Sequence, residues 1–186
     1  TVSRFPVAGL FPSRRRSICS EELKEHRKED SMQIQEGYAK RIDIVSDTHG
    51  HLSAELLEHI AGADLIVHAG DLTSEMDYER LCCIAPVRAV LGNNDYYRDY
   101  GPDVARLCEF DYEGLHFAVA HYQEDLPVAG VAVCGHTHRS KIERSCGRLL
   151  INPGSATLPR GTRTPSIARL YVGDGAVMSA EIIPLK

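Results

Sequence analysis

Residues 41–71, RIDIVSDTHGHLSAELLEHIAGADLIVHAGD, decide the fold. Ile42, Ile44 and Val45 form a short apolar run that stops at Ser46-Asp47. Leu52, Leu56, Leu57 and Ile60 then recur at helical spacing, with Ser53 placed as an N-cap and Gly62 as the stop. Leu65-Ile66-Val67 is a second apolar run, ending in His68-Ala69-Gly70-Asp71. Strand, helix, strand in this order predicts two parallel strands joined by a right-handed crossover.

The pattern continues outward. A short helix through Tyr78, Leu81 and Cys82 is predicted to end before Pro86, and Val87 to Leu91 to form a third strand ending in Gly92-Asn93-Asn94-Asp95. Beyond it the grammar becomes antiparallel. Leu107–Tyr112 and Leu115–Ala120 flank a Glu113-Gly114 turn, and Val131–Cys134 runs into Gly135-His136-Thr137-His138. Ile142 and Leu149–Ile151 flank a turn at Gly147, and residues 167–172 and 176–183 flank Gly173-Asp174-Gly175. The fold class expected is α/β with α+β character: two packed β-sheets flanked by helices, an αββα sandwich.

The start of the chain reads differently. Residues 1–20 carry four arginines and no acidic residue, and residues 21–30, EELKEHRKED, offer only Leu23 to a core. We expect residues 1–38 to be an extension outside the domain and residues 39–186 to be the domain itself. An arginine-rich, acid-free start also resembles a targeting peptide, and a flexible interaction arm is the third reading.

Net charge of −5 and a pI of about 6.0 supply no global basic field for nucleic acid or anionic membranes. No apolar run approaches the roughly 18 residues of a membrane span. The six cysteines show no C-x-x-C spacing, so they are expected to be reduced, and the protein cytoplasmic.

Seven side chains of metal-ligand type fall where predicted strands end: Asp47, His49, Asp71, Asn93, His121, His136 and His138. Open α/β sheets place their ligands at that edge. Taken singly, Asp-x-His, Gly-Asp and Gly-Asn-Asn-Asp are also common turn sequences. Two imidazoles two residues apart at a strand mouth, as in GHTH, have no ordinary packing explanation. Seven ligands exceed what one small ion takes and suit two ions sharing a bridge, the arrangement of two-metal hydrolytic centres for phosphate esters.

The ordered set D-x-H, G-D, G-N-x-D, H and G-H-x-H resembles the calcineurin-like metallophosphoesterase superfamily. The chain's size, GNND, and the segment Asn152-Pro153-Gly154-Ser155 with Pro159-Arg160 are similar to its small single-domain YfcE-type phosphodiesterases. The resemblance runs from about residue 40 to the C-terminus. It implies a first ion on Asp47, His49, Asp71 and His138, and a second on Asp71, Asn93, His121 and His136. Asp71 would bridge ions about 3.5–4 Å apart. A hydroxide bridging the metals would be the nucleophile, with Asp71 and Asn93 as the catalytic residues and Asn93 also touching phosphate. Mn2+ is the metal expected, with Zn2+, Ni2+ and Fe2+ as alternatives.

Three departures stand out. Asn94 sits where many members carry a histidine able to protonate the leaving oxygen. Tyr122-Gln123 follows His121 where relatives often read Gly-His, and only 14 residues separate His121 from His136, which implies a trimmed helix and a more open site. Asn94, Arg139 and Arg160, with Arg163, are candidate substrate contacts. The substrate expected is a small phosphodiester or nucleotide-like molecule, and the protein a homo-oligomer. The rival readings are a nuclease or nucleotide phosphomonoesterase on the same metals, and a non-catalytic interaction scaffold like the retromer subunit of this fold.

Overall fold

The computed structural model describes residues 39–160 and 164–186. The expectation for residues 1–38, and the candidate contact Arg163, lie outside the described residues. In chain order the elements are β1 (Lys40–Val45), α1 (Ala54–Ile60), β2 (Leu65–His68), α2 (Glu75–Cys82) and β3 (Val87–Ala89). Then follow β4 (Leu107–Tyr112), β5 (Leu115–Ala120), β6 (Val131–Val133), β7 (Lys141–Ser145), β8 (Arg148–Asn152), β9 (Ser166–Gly173) and β10 (Ala176–Pro184). They form two five-stranded sheets, ordered β10-β9-β1-β2-β3 and β4-β5-β6-β8-β7. Each sheet is mixed. The strands β1, β2 and β3 run parallel in the first, and β5, β6 and β8 run parallel in the second.

Alternation along β1 and β2 sets the layers. Ile42, Ile44, Leu65 and Val67 point into a core shared with Phe117, Val119, Val131, Val133, Leu149 and Ile151 of the other sheet. The intervening Val45 and Ile66 face Leu56 and Ile60 of α1 and Leu81 of α2. A one-residue slip would exchange the two faces, so burial on both sides fixes the register. Asp43 also lies on the helix side and is fully buried. Its Cα partner across the β1–β9 ladder is Arg169, whose Nε donates to Asp43 Oδ1 at 2.7 Å.

The helices begin where the sequence places them. Ser53 caps α1, its hydroxyl accepting from the Leu56 N–H at 3.1 Å, and Ser74 caps α2 by accepting from the Asp77 N–H at 3.1 Å. The third strand is shorter than predicted. It is the sheet edge: the Val90 N–H still donates to the His68 carbonyl of β2 at 3.0 Å, but Val90 also bridges Ala105, whose carbonyl accepts from the Leu91 N–H at 2.8 Å.

Among the described residues both α-helices pack on the first sheet. The crossover from β5 to β6 contains only a 3-10 turn, Gln123–Asp125, in place of a helix. The outer face of the second sheet, with Ala132 and Leu150, is therefore left accessible in a cavity of about 390 Å3.

Candidate metal centre

All the parallel strands end at one edge, and the loops leaving that edge carry the seven candidate ligands. Five of the seven sit at positive φ: Asp47 (53°), His49 (49°), Asp71 (57°), His136 (63°) and His138 (56°). Only a few per cent of non-glycine residues adopt this region, and such strain gathers at functional sites. The loops that hold these residues therefore sacrifice backbone comfort to aim side chains.

The aim converges. Ligand atoms around one ion at about 2.1 Å stand roughly 3.0–3.4 Å from one another. His138 Nε2 lies 3.2 Å from Asp47 Oδ1 and 3.5 Å from His49 Nε2. Asn93 Oδ1 lies 3.2 Å from His121 Nε2 and 3.1 Å from His136 Nδ1. His121 Nε2 is 3.6 Å from Asp71 Oδ2, which ties the second set to the aspartate. Asp47, His49 and His138 form one group close enough for a shared cation, and Asp47, Asp71 and His121 another.

Protonation makes these approaches informative. His138 Nδ1 donates to the Leu158 carbonyl, and His121 Nδ1 donates to the Ala69 carbonyl at 2.7 Å. In the neutral imidazole each bond fixes the tautomer that leaves Nε2 as a bare lone pair, the usual way a metal-ligating histidine is oriented. Asp47 Oδ1 is buried and has no hydrogen-bond partner among the described residues. It and His138 Nε2 thus confront each other, lone pair to lone pair, in a site shielded from water. Burial, helped by the neighbouring Asp71 carboxylate, raises the Asp47 carboxyl to about 6, against the lowering effect of the Ser46 hydroxyl. Burial likewise lowers the pKa of His49. A cation between these atoms turns each penalty into a bond, so the donor set fits a divalent metal.

The loops are locked from behind. Asp95, almost fully buried, accepts the main-chain N–H groups of Asp71 at 2.8 Å, Thr73 at 2.7 Å and Gly92 at 2.8 Å, and the Tyr100 hydroxyl at 2.8 Å. Nothing local in the sequence announces this role beyond the final aspartate of GNND. Ser46 Oγ donates to Asp47 Oδ2 at 2.6 Å, and Ser155 Oγ donates to the Asp47 carbonyl at 2.8 Å. Asn152 Nδ2 donates to the Gly135 carbonyl at 2.6 Å and to Thr137 Oγ1 at 3.1 Å, bracing the GHTH loop. His68 is wholly buried beneath the site, its Nε2 against Thr48 Oγ1 at 3.1 Å. Glycine is required at 92, where a Cβ would collide with Asp71, and at 135, where it would collide with Ser46.

The candidate substrate contacts are placed less uniformly. Asn94 is exposed at the site, but its side chain is engaged: Nδ2 donates to Asp71 Oδ2 at 2.6 Å. Arg160 is exposed and donates its main-chain N–H to the His138 carbonyl at 2.9 Å. Arg139 lines a cavity of about 290 Å3 beside the GHTH loop, together with Gln123, Thr137, Lys141 and Asn152.

Comparison with known proteins agrees with this geometry. The family profile of the calcineurin-like phosphoesterase superfamily domain matches residues 41–175. A probable metallophosphoesterase of Methanothermobacter thermautotrophicus is 34% identical over 160 residues, covering 76% of this chain and 91% of that protein. The solved structure of YfcE, a phosphoesterase from E. coli, is 26% identical with a TM-score of 0.60, covering 76% of this chain and 98% of its own. An archaeal phosphodiesterase is 25% identical with a TM-score of 0.63, covering 78% and 99% of the two chains.

Proposed function

Since the chain belongs to the calcineurin-like phosphoesterase superfamily, whose members use divalent metals, we propose that it hydrolyses phosphodiester bonds at a two-metal centre. The first ion is assigned to Asp47, His49, Asp71 and His138, and the second to Asp71, Asn93, His121 and His136. Bound there, the ions supply charge against the phosphoryl oxygens and acidify a water to serve as nucleophile. Mn2+ is the metal we propose.

The observation that carries this reading is the pair Asp47 Oδ1 and His138 Nε2. Two lone pairs 3.2 Å apart in a buried site, one with no hydrogen-bond partner, call for a cation.

The chain's own residues define the rest. His121 and His138 hold their Nδ1 protons on main-chain carbonyls, so neither serves as a donor through Nε2. Asn94 is bonded to Asp71 and is an amide, so it delivers no proton to a departing alkoxide. Good leaving groups are accordingly favoured, and the chemistry fits aryl or otherwise activated diesters. The archaeal phosphodiesterase supports diester over monoester chemistry. No described helix is long and apolar enough to cross a membrane, and the five described cysteines are free, which fits the cytoplasm.

The test begins with chelator-stripped protein. Adding Mn2+, Zn2+, Ni2+ or Fe2+ in turn, with a bis-aryl phosphodiester, an aryl phosphomonoester and an oligonucleotide as substrates, should restore turnover chiefly of the diester. Faster cleavage of the oligonucleotide or the monoester selects the nuclease or phosphomonoesterase reading. No metal-stimulated turnover of any of the three contradicts catalysis.

A further inference from the structure

Tyr122 is absent from every role assigned above, yet it touches each of the three ligands given only to the second ion. Its hydroxyl donates to Asn93 Oδ1 at 3.3 Å. Its ring lies 4.4 Å from the His136 ring, tilted at 54°, and 5.3 Å from the His121 ring, edge-on at 75°.

The histidines of the site are not held alike. His138 and His121 are oriented by main-chain carbonyls at Nδ1. Among the described residues His136 has no such carbonyl or carboxylate. Its Nδ1 faces Asn93 Oδ1, and its ring is otherwise held only by aromatic neighbours, Tyr122 at 4.4 Å and His121 at 5.2 Å. Asn93 is itself exposed, in a three-residue 3-10 turn. Asn93 and His136, neither of them buried, thus share one partner.

We propose that Tyr122 is a positioning residue for the second-ion half of the centre, its ring fixing His136 and its hydroxyl fixing Asn93. The proposal rests on the two-metal reading. Partners that orient ligands are typically worth 10- to 100-fold in metal affinity. An aromatic side chain suits this task because it offers a rigid face at the expense of only two side-chain torsions. The short β5–β6 crossover places it there, since Tyr122 directly follows His121 and is held extended, at φ −94° and ψ 139°, entering the 3-10 turn.

The experiment is titration of the metal-free full chain with Mn2+, comparing wild type, Tyr122→Phe and Tyr122→Ala. Binding is followed by calorimetry, and by electron paramagnetic resonance, which separates a single Mn2+ from a spin-coupled pair. Tyr122→Ala should keep first-ion affinity while second-ion affinity falls by about 10- to 100-fold. Tyr122→Phe, which retains the ring, should lie between it and wild type, and the melting temperature of the metal-free protein should not move. A second ion bound by Tyr122→Ala as tightly as by wild type overturns the proposal, as does equal weakening of both ions. Wild type that takes up fewer than two ions contradicts the two-metal reading itself and removes this proposal with it.

Discussion

Asn94 holds both carboxylate oxygens of Asp71. Its main-chain N–H donates to Oδ1 at 2.8 Å and its side-chain Nδ2 to Oδ2 at 2.6 Å. The residue that stands where many relatives have a proton donor is therefore a clamp on the aspartate assigned to both ions. Asn94→Ala removes one of these bonds and keeps the other, so metal affinity should fall by about 10-fold or more without unfolding the protein. Calorimetric titration with Mn2+ checks it, and unchanged affinity would mean that the side-chain bond is idle.

On the proposed mechanism the same residue should set the leaving-group preference. General acid catalysis is typically worth about 10²–10⁴-fold, and the wild-type chain offers no acid at this position. Rates across esters of graded leaving-group pKa, with metal saturating, should therefore fall steeply as the leaving group becomes more basic. Asn94→His should flatten that dependence, although it also loosens the Asp71 clamp. Parallel slopes in the two proteins would place protonation elsewhere.

Gly135 is confined by Ser46 Oγ, by the Ala69 carbonyl 2.8 Å from a notional Cβ, and by Asp47 Oδ2 at 3.0 Å. Gly135→Ala should cost about 1–3 kcal/mol of stability, read as a lower melting temperature. It should also break the Ser46–Asp47 bond, so metal affinity falls with stability. A variant as stable and as metal-avid as wild type would show that the loop yields freely.

His68 predicts a pH dependence. Burial depresses its pKa from 6.5 to about 4, despite the nearby Asp95 charge. Between those values the unfolded chain binds a proton that the folded protein refuses, so the contribution is fully present above pH 6.5 and is lost as the pH falls through that window. At about 1.4 kcal/mol per unit the loss approaches roughly 3 kcal/mol. Asp47 acts in the opposite sense in metal-free protein: its raised pKa gives the folded state an extra proton between 3.8 and about 6, so stability drops there as pH rises. Denaturant unfolding of metal-free Asp47→Asn should therefore show the histidine slope unmasked, and His68→Gln in that background should remove it. An identical pH profile with and without His68 would contradict the assignment.

Most of the scaffold was legible in the sequence because periodicity and punctuation agreed. The β4–β5 hairpin was predicted to the residue, and Ser53 marked the start of α1, since both signals are local. The candidate ligands were legible for a related reason: each lies at a strand end that an apolar run already marks. What the sequence concealed are partnerships across distance. Asp43 and Arg169 are 126 residues apart, and neither carries a sign that a β1–β9 ladder will pair them. Asp95 likewise reads as a turn residue until the fold brings the Asp71–Thr73 backbone over its carboxylate. Tyr122 was noticed only as a departure from the usual Gly, because its packing on His136 depends on where a second loop arrives.

The central claim is a pair of divalent ions sharing Asp71, and the most direct measurement is metal stoichiometry with turnover in Asp71→Asn. The substitution keeps shape and removes the charge assigned to both ions. Wild type should bind two Mn2+ per chain, and the variant should bind both more weakly, with turnover of a bis-aryl phosphodiester reduced by at least about 10²-fold. An Asp71→Asn protein that retains two tightly bound ions and near-normal turnover would contradict the account.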